Sequence, residues 1–86
     1  MIFEYDNAKS QANKDKHGID FNEAQELWKD DRLLRIKLSF EDEKRFAFIG
    51  KIEDKNWTAI ATFRNKNIRI ISVRRSRKNE VNYYES

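Results

Sequence analysis

The sequence has no cysteine and only one histidine among its 86 residues. Without thiols it can build neither a disulfide framework nor a thiolate metal site. A single histidine would leave a zinc ion to carboxylates, and nothing in the pattern groups them for it, so no metal or other cofactor is expected. No apolar run approaches the ~20 residues of a membrane span. No signal-peptide pattern precedes the first element, so a cytoplasmic location without a membrane partner is expected. Linkers, low-complexity stretches and internal repeats are also missing, and residues 1–86 read as one domain with a modest core. The apolar fraction is low, 38%, but eleven Phe, Tyr and Trp residues make up 13% of the chain. Each can bury roughly 150–250 Å², which supplies much of the area a small core needs.

Charge is distributed unevenly. Residues 1–31 carry eight acids and four bases, and residues 32–86 carry seven acids and fourteen bases, for a net charge of +3. Between residues 64 and 79 there are seven bases and no acid. A charge run is often just a solvated face. An asymmetry of this size favours an anionic partner and leaves an acidic half for a different one.

Local patterns give the elements. Residues 2–5 form a short strand. Asp6 is placed to cap a helix over residues 7–16, with Ala8 and Ala12 on one face, and Gly18 is placed to end it in a left-handed conformation. Asp20 followed by Glu23 resembles a capping box, and Phe21, Ala24, Leu27 and Trp28 follow helical spacing. Two helices joined at a glycine also fit a helix-turn-helix, but Glu23 and Glu26 put acid on the exposed side, which is wrong for the DNA major groove. Four alternating runs follow, at 33–38, 45–52, 57–64 and 68–75. An acidic turn at 40–44 and short loops at 53–56 and 65–67 join them, which implies an antiparallel meander. Ser76 is placed to cap a short final helix with Val81 and Tyr84 facing inward. Together these elements make an α+β fold: an N-terminal strand, two helices on a four-stranded antiparallel meander, and a short C-terminal helix.

The run at 68–77 organises the rest. Both of its faces carry branched apolar residues, as in an inner strand. If the strand is regular, Ile68, Ile70, Ser72 and Arg74 share one face and Arg69, Ile71, Val73 and Arg75 the other. It ends in Arg74, Arg75, Arg77 and Lys78, a cationic edge suited to RNA phosphate.

Several segments resemble the BrnT family. They are Glu4-Tyr5-Asp6, Lys9, Asn13, Lys16-His17-Gly18-Ile19-Asp20-Phe21 with Ala24, Arg45-Phe46 with Ile49-Gly50, Ile68 through Arg75, and Glu80, Tyr84 and Glu85. Tyr5 stands where the family usually has Trp, Val73 where Ala is common, and the turn at 40–44 is shorter than in many members. The resemblance implies a RelE-like fold and a type II toxin that blocks translation by cutting RNA. It also implies inhibition by a BrnA-like antitoxin with a ribbon-helix-helix DNA-binding region, so that DNA is met only through the complex, which represses its own operon.

Metal-free cleavage of RNA needs a base near the 2′-hydroxyl, charge stabilisation at phosphorus and an acid for the leaving 5′-oxygen. Arg74 is the first candidate for charge stabilisation, and Arg64, ending the neighbouring strand, is the second if it converges on the same edge. His17 is the only side chain that titrates near neutrality without help, and Glu43 is a second candidate base. Each has a plainer reading, as a helix-end cation and an exposed turn carboxylate. Lys16, Arg45, Arg75, Arg77 and Tyr83 are candidate substrate contacts, although a tyrosine on a terminal helix can simply anchor the core. The competing class is a non-catalytic basic module that binds RNA or protein and acts as co-repressor with its antitoxin. A repressor subunit with no partner but the antitoxin is a third. The antitoxin is expected to neutralise the arginine edge, so salt should weaken the complex.

Overall fold

The computed structural model describes residues 1–38 and 44–86. Glu43 and most of the acidic turn therefore lie outside the described residues. Among those described, the chain forms β1 (Phe3–Glu4), α1 (Asn7–His17), α2 (Phe21–Ala24) continued by a 3₁₀ turn (Gln25–Lys29), β2 (Leu34–Leu38), β3 (Arg45–Ile52), β4 (Lys55–Arg64), β5 (Asn67–Arg75) and α3 (Lys78–Glu85). This is an α+β fold. The sheet order is β1-β5-β4-β3-β2.

The meander expected from the sequence is present as β2 to β5, joined antiparallel throughout. It is not the whole sheet. β1 pairs in parallel with β5, setting Phe3 opposite Ile68 and Glu4 opposite Arg69. The sheet is therefore five-stranded and mixed, and β5 is an inner strand because β1 occupies its second edge. Two residues are too few to show a period, so this pairing had no signal in the sequence.

Helix α1 is bounded as its sequence dictates. The Asp6 side chain accepts from the Lys9 amide, and Gly18 takes φ 80°, returning its N–H to Lys14. Its docking face is a surprise. Ala8 and Ala12 are exposed, whereas Ser10 and Asn13 are buried. Ser10 Oγ accepts the Phe21 amide (2.9 Å), which helps hold α1 to α2. The capping box of Asp20 and Glu23 forms on α2. From there Ile19, Phe21, Ala24 and Leu27 enter the core, packing on Phe48, Ala59, Ala61, Ile68, Ile70 and Val73 of the sheet. Trp28 lies between Phe3 and Phe48, with ring centroids 5.0 Å away on each side.

The alternation in β5 breaks once. Ile60 pairs with Ser72 but Ala61 pairs with Ile70, so Ile71 is an extra residue, a β-bulge. Ile68 and Ile70 face the helices before the bulge, and Val73 faces them after it. A regular strand would have put Arg74 on the helix face; the bulge puts Arg75 on that face and turns Arg74 to the opposite one. That opposite face is partly covered by α3. Arg77, not Ser76, is the residue ahead of this helix, and Val81 and Tyr84 are half-buried as expected.

Gly50 lies where Leu27 and the segment that follows it press against β3. A Cβ there would meet Leu33 Cδ1 at 2.9 Å, Asp30 Oδ2 at 3.1 Å and Leu27 Cδ2 at 3.2 Å. Gly50→Ala is expected to destabilise the protein by about 1–3 kcal/mol, as overpacking of a filled core does. An unchanged urea midpoint would show that this corner has slack.

Candidate functional site

The basic run at 64–79 does not form one patch. Antiparallel pairing puts the end of β4 beside the beginning of β5: Arg64 pairs with Asn67, whereas Arg74 pairs with Thr58. Arg64 and Lys66 thus lie at one end of the sheet, with Arg74, Arg75, Arg77 and Lys78 at the other. The eight-residue step along β5 is roughly 26 Å. The expected convergence of Arg64 on Arg74 does not occur. Arg45, opposite Leu38 and Thr62, belongs to the Arg64 end.

Arg74 is not open to a ligand either. Its guanidinium grips Glu80 with two nearly parallel bonds, Nη1 to Oε1 at 2.7 Å and Nη2 to Oε2 at 2.8 Å. Nη1 also donates to the Arg75 carbonyl at 3.3 Å. Glu80 Oε1 further accepts the Arg77 amide (2.7 Å) and the Thr58 hydroxyl (3.1 Å). The hydroxyls of Thr58 and Ser76 lie 2.8 Å apart. Both charged side chains are mostly covered, 25% and 14% exposed. The hydrogen bonds from Arg74, outweighing burial, bring Glu80 down to about 2 and hold Arg74 firmly protonated. The pair is neutral overall and fastens α3 to the sheet.

Arg75 is the arginine that faces the helix side. It is exposed, its guanidinium carbon is 5.5 Å from the Trp57 ring centroid, and its Nε donates to the Asn56 carbonyl at 3.3 Å. The ring satisfies the cation's face without cancelling its charge. Trp57 in turn lines a cleft of about 440 Å³ shared with Gly18, Ile19, Glu23, Ile52, Glu53, Asp54 and Lys55.

Asn13 brings the end of α1 to this corner. Its Nδ2 donates to the carbonyls of Ile19 (2.8 Å) and Val73 (2.9 Å), and its Oδ1 accepts the Val73 amide (3.2 Å). Because α1 starts just after β1, which pairs with the beginning of β5, and is fixed to Val73 near the end of β5, it runs along β5 toward Arg75. Half-buried His17 is one turn beyond Asn13 on the same face, and exposed Lys16 is beside it. The sequence singled out His17 and Lys16 but gave Asn13 no role. The sequence carries no signal that could have found it, because an asparagine on a helix with little apolar character reads as solvent-facing.

Elsewhere, Arg69 faces Glu4 at 3.7 Å, and Tyr83 is exposed on α3 beside a separate cleft of about 400 Å³ lined by Arg32, Leu34, Tyr84, Glu85 and Ser86. Asp30 organises the other end of α3: it accepts from the Tyr84 hydroxyl (2.6 Å) and the Lys51 amide (2.8 Å), and from the Arg32 amide (2.9 Å). Burial opposes its ionisation, but these bonds prevail and lower it, while the same contact raises Tyr84. Among the described residues no three His, Cys, Asp or Glu side chains are grouped as a metal would need, and no helix is long and apolar enough to cross a membrane.

A family model for the ribonuclease toxin BrnT of type II toxin-antitoxin systems matches residues 5–80. The chain belongs to the BrnT family. Comparison with curated proteins gave no match. Membership makes this a toxin of the type II toxin-antitoxin class, described at family level as a ribonuclease, and it implies an antitoxin partner. The matched span covers α1, the whole sheet except β1, and the start of α3 up to Glu80. The BrnT match therefore includes the Asn13–Val73 dock, the Trp57–Arg75 corner and the Arg74–Glu80 pair.

Proposed function

We propose that this BrnT chain is a metal-independent endoribonuclease that inhibits translation, working at the corner where the end of α1 meets the end of β5. The observation that carries the reading is Arg75 lying over Trp57 at the mouth of a cleft, at the end of the sheet to which Asn13 brings His17 and Lys16. The aromatic floor suits a stacked base, and the carboxylates of Glu23, Glu53 and Asp54 can accept from base N–H groups. The same carboxylates repel phosphate, so the phosphate lies outward, on Arg75, Arg77 and Lys16.

In this arrangement the 2′-oxygen attacks phosphorus as His17 takes its proton. The P–O5′ bond breaks, and the leaving 5′-oxygen takes the proton back from the imidazolium, giving a 2′,3′-cyclic phosphate and a 5′-hydroxyl. Arg75 and Arg77 stabilise charge on the non-bridging oxygens. Arg74, expected from the sequence to do this work, positions α3 and the Arg75 backbone instead. Neutralisation by a BrnA-like antitoxin with a ribbon-helix-helix region follows from the same reading, as does repression of the operon by the complex.

Incubation of the purified protein with a structured RNA in EDTA tests this. Cyclic-phosphate products are expected, and R75A/R77A is expected to lower the cleavage rate by roughly 10²-fold or more. RNA that is bound but uncut would instead support the non-catalytic co-repressor module. One observation favours that alternative: Glu80 cancels the charge of the arginine best ordered for phosphate.

A further inference from the structure

β2 is the long open edge of the sheet. Among the described residues nothing pairs with its outer side, and its five residues contain no proline, glycine or bulge. The opposite edge, β1, has only two residues. A row of free N–H and C=O groups along five residues is a template for a further strand. The side chains flanking it are segregated. Leu34, Ile36 and Leu38 are half-buried on the α3 face, and Arg35 and Lys37 are exposed on the helix face. The Arg35 guanidinium carbon is 5.4 Å from the Phe46 ring centroid, so it is drawn back over the sheet. Phe46 in turn packs edge-on against Phe63, which is 44% exposed. At the start of β2, Leu34 opens into the cleft of about 400 Å³ bordered by Tyr83 and Tyr84.

From this edge we infer a docking site for an extended segment of the antitoxin in which acidic and apolar residues alternate. A strand laid beside β2 puts successive side chains on its two faces. Those on one face meet Leu34, Ile36 and Leu38, with room for a larger apolar anchor in the tyrosine cleft. Those on the other face meet Arg35 and Lys37 and are complementary when acidic. A second copy of this chain does not fit. Antiparallel pairing of β2 with itself about Ile36 sets Arg35 opposite Lys37, and the neighbouring registers that keep the apolar face together set Arg35 or Lys37 opposite itself. The cations thus guard the edge against self-association and select an acidic partner. The inference rests on the toxin-antitoxin reading for its partner, but not on RNA cleavage.

The test uses the full chain, without RNA, and a short synthetic peptide alternating glutamate and valine. Binding is read by fluorescence anisotropy, and its place by amide protection in NMR hydrogen exchange. Protection confined to β2 is expected, with affinity reduced roughly tenfold in R35E/K37E, as two opposite-charge pairs become like-charge pairs. A peptide alternating lysine and valine should bind the unmodified protein more weakly. That comparison alters no residue of the protein and so remains decisive if the variant fails to fold. Equal binding of the two peptides, no binding by either, or protection away from β2 would overturn the inference. Failure here leaves the EDTA cleavage assay untouched, and absence of cleavage leaves the peptide result untouched, so the two readings fall separately.

Discussion

Asn13→Asp is expected to destabilise the protein by about 3–5 kcal/mol at pH 7, and to abolish RNA cleavage under conditions where residual folded protein remains. The change is nearly isosteric, so the cost is electronic. Asn13 donates to two carbonyls, those of Ile19 and Val73, and accepts one amide. A carboxylate can keep only the accepted bond. It would set anionic oxygen against two carbonyl oxygens in a site where the residue is 8% exposed. Asn13→Ala removes the repulsion but takes their Asn13 partner from the Val73 amide and from the Ile19 and Val73 carbonyls, for about 2–3 kcal/mol. The aspartate variant should also show a pH dependence that the alanine variant lacks. Burial raises the folded-state pKa of the introduced carboxyl above its unfolded value, so its penalty is small below the unfolded pKa and grows as pH rises through the folded one. Urea unfolding at pH 4 and pH 7 reads both effects. An aspartate variant as stable as the parent at pH 7 would mean that Asn13 does not hold α1 to β5. The expected loss of cleavage follows from the proposed site, because Lys16 and His17 sit on the turn that Asn13 docks.

The second large effect concerns Glu80. Removing its charge in Glu80→Gln should cost about 2–4 kcal/mol, because Arg74 is then a mostly covered cation without its anion, even though the glutamine carbonyl can still accept the Arg77 amide. Replacing both partners, R74M/E80L, should recover much of that loss, since an apolar pair of similar volume carries no desolvation cost. The parent protein makes a matching prediction about acid. Glu80 is lowered from 4.5 to about 2. A depressed carboxylate contributes stability that is fully present above its unfolded value and is lost as pH falls through the folded one. Roughly 3 kcal/mol should therefore disappear between about pH 4.5 and pH 2, and the slope should flatten in Glu80→Gln. Thermal unfolding across that range decides the matter: if parent and variant lose stability in parallel, the Arg74–Glu80 pair is not the acid-sensitive element.

Arg74 and Arg75 also show why the proposed phosphate contact falls on the second of them and not on the first. Arg74 and Arg75 are adjacent and chemically identical, and a strand must point them to opposite faces. Which one faces the α1 corner depends on the count of residues before it. The bulge at Ile71 changes that count by one, and its pairing partners Ile60 and Ala61 lie on another strand. No local pattern in 68–77 announces it. Arg64 misled for a simpler reason, since in an antiparallel hairpin the last residue of one strand lies beside the first of the next.

Some features needed no tertiary information. The caps at Asp6, Gly18 and Asp20 formed where expected, because a cap is a contest among hydrogen bonds within three or four residues. The hairpin turn at Asn65 and Lys66, both at positive φ, followed from asparagine's tolerance of that region. The alternation of β2, β3 and β4 and the burial of Phe21, Ala24 and Leu27 followed from period alone. The motifs that led to BrnT were likewise on the surface of the text. The polar docking of α1 was not, because a helix whose inward face is serine and asparagine has almost no amphipathic signal.

By itself the sequence determined most of the elements, the caps at Asp6, Gly18 and Asp20, the turn at Asn65 and Lys66, the α+β class and the family, because each depends on residues close in the chain or on motifs kept in order. Only the tertiary structure decided that β1 completes a mixed sheet, that the basic run is divided between two ends, and that Glu80 claims Arg74 while Trp57 carries Arg75. Those outcomes depend on pairing between distant segments, where one inserted residue in one strand reverses the face of every side chain that follows.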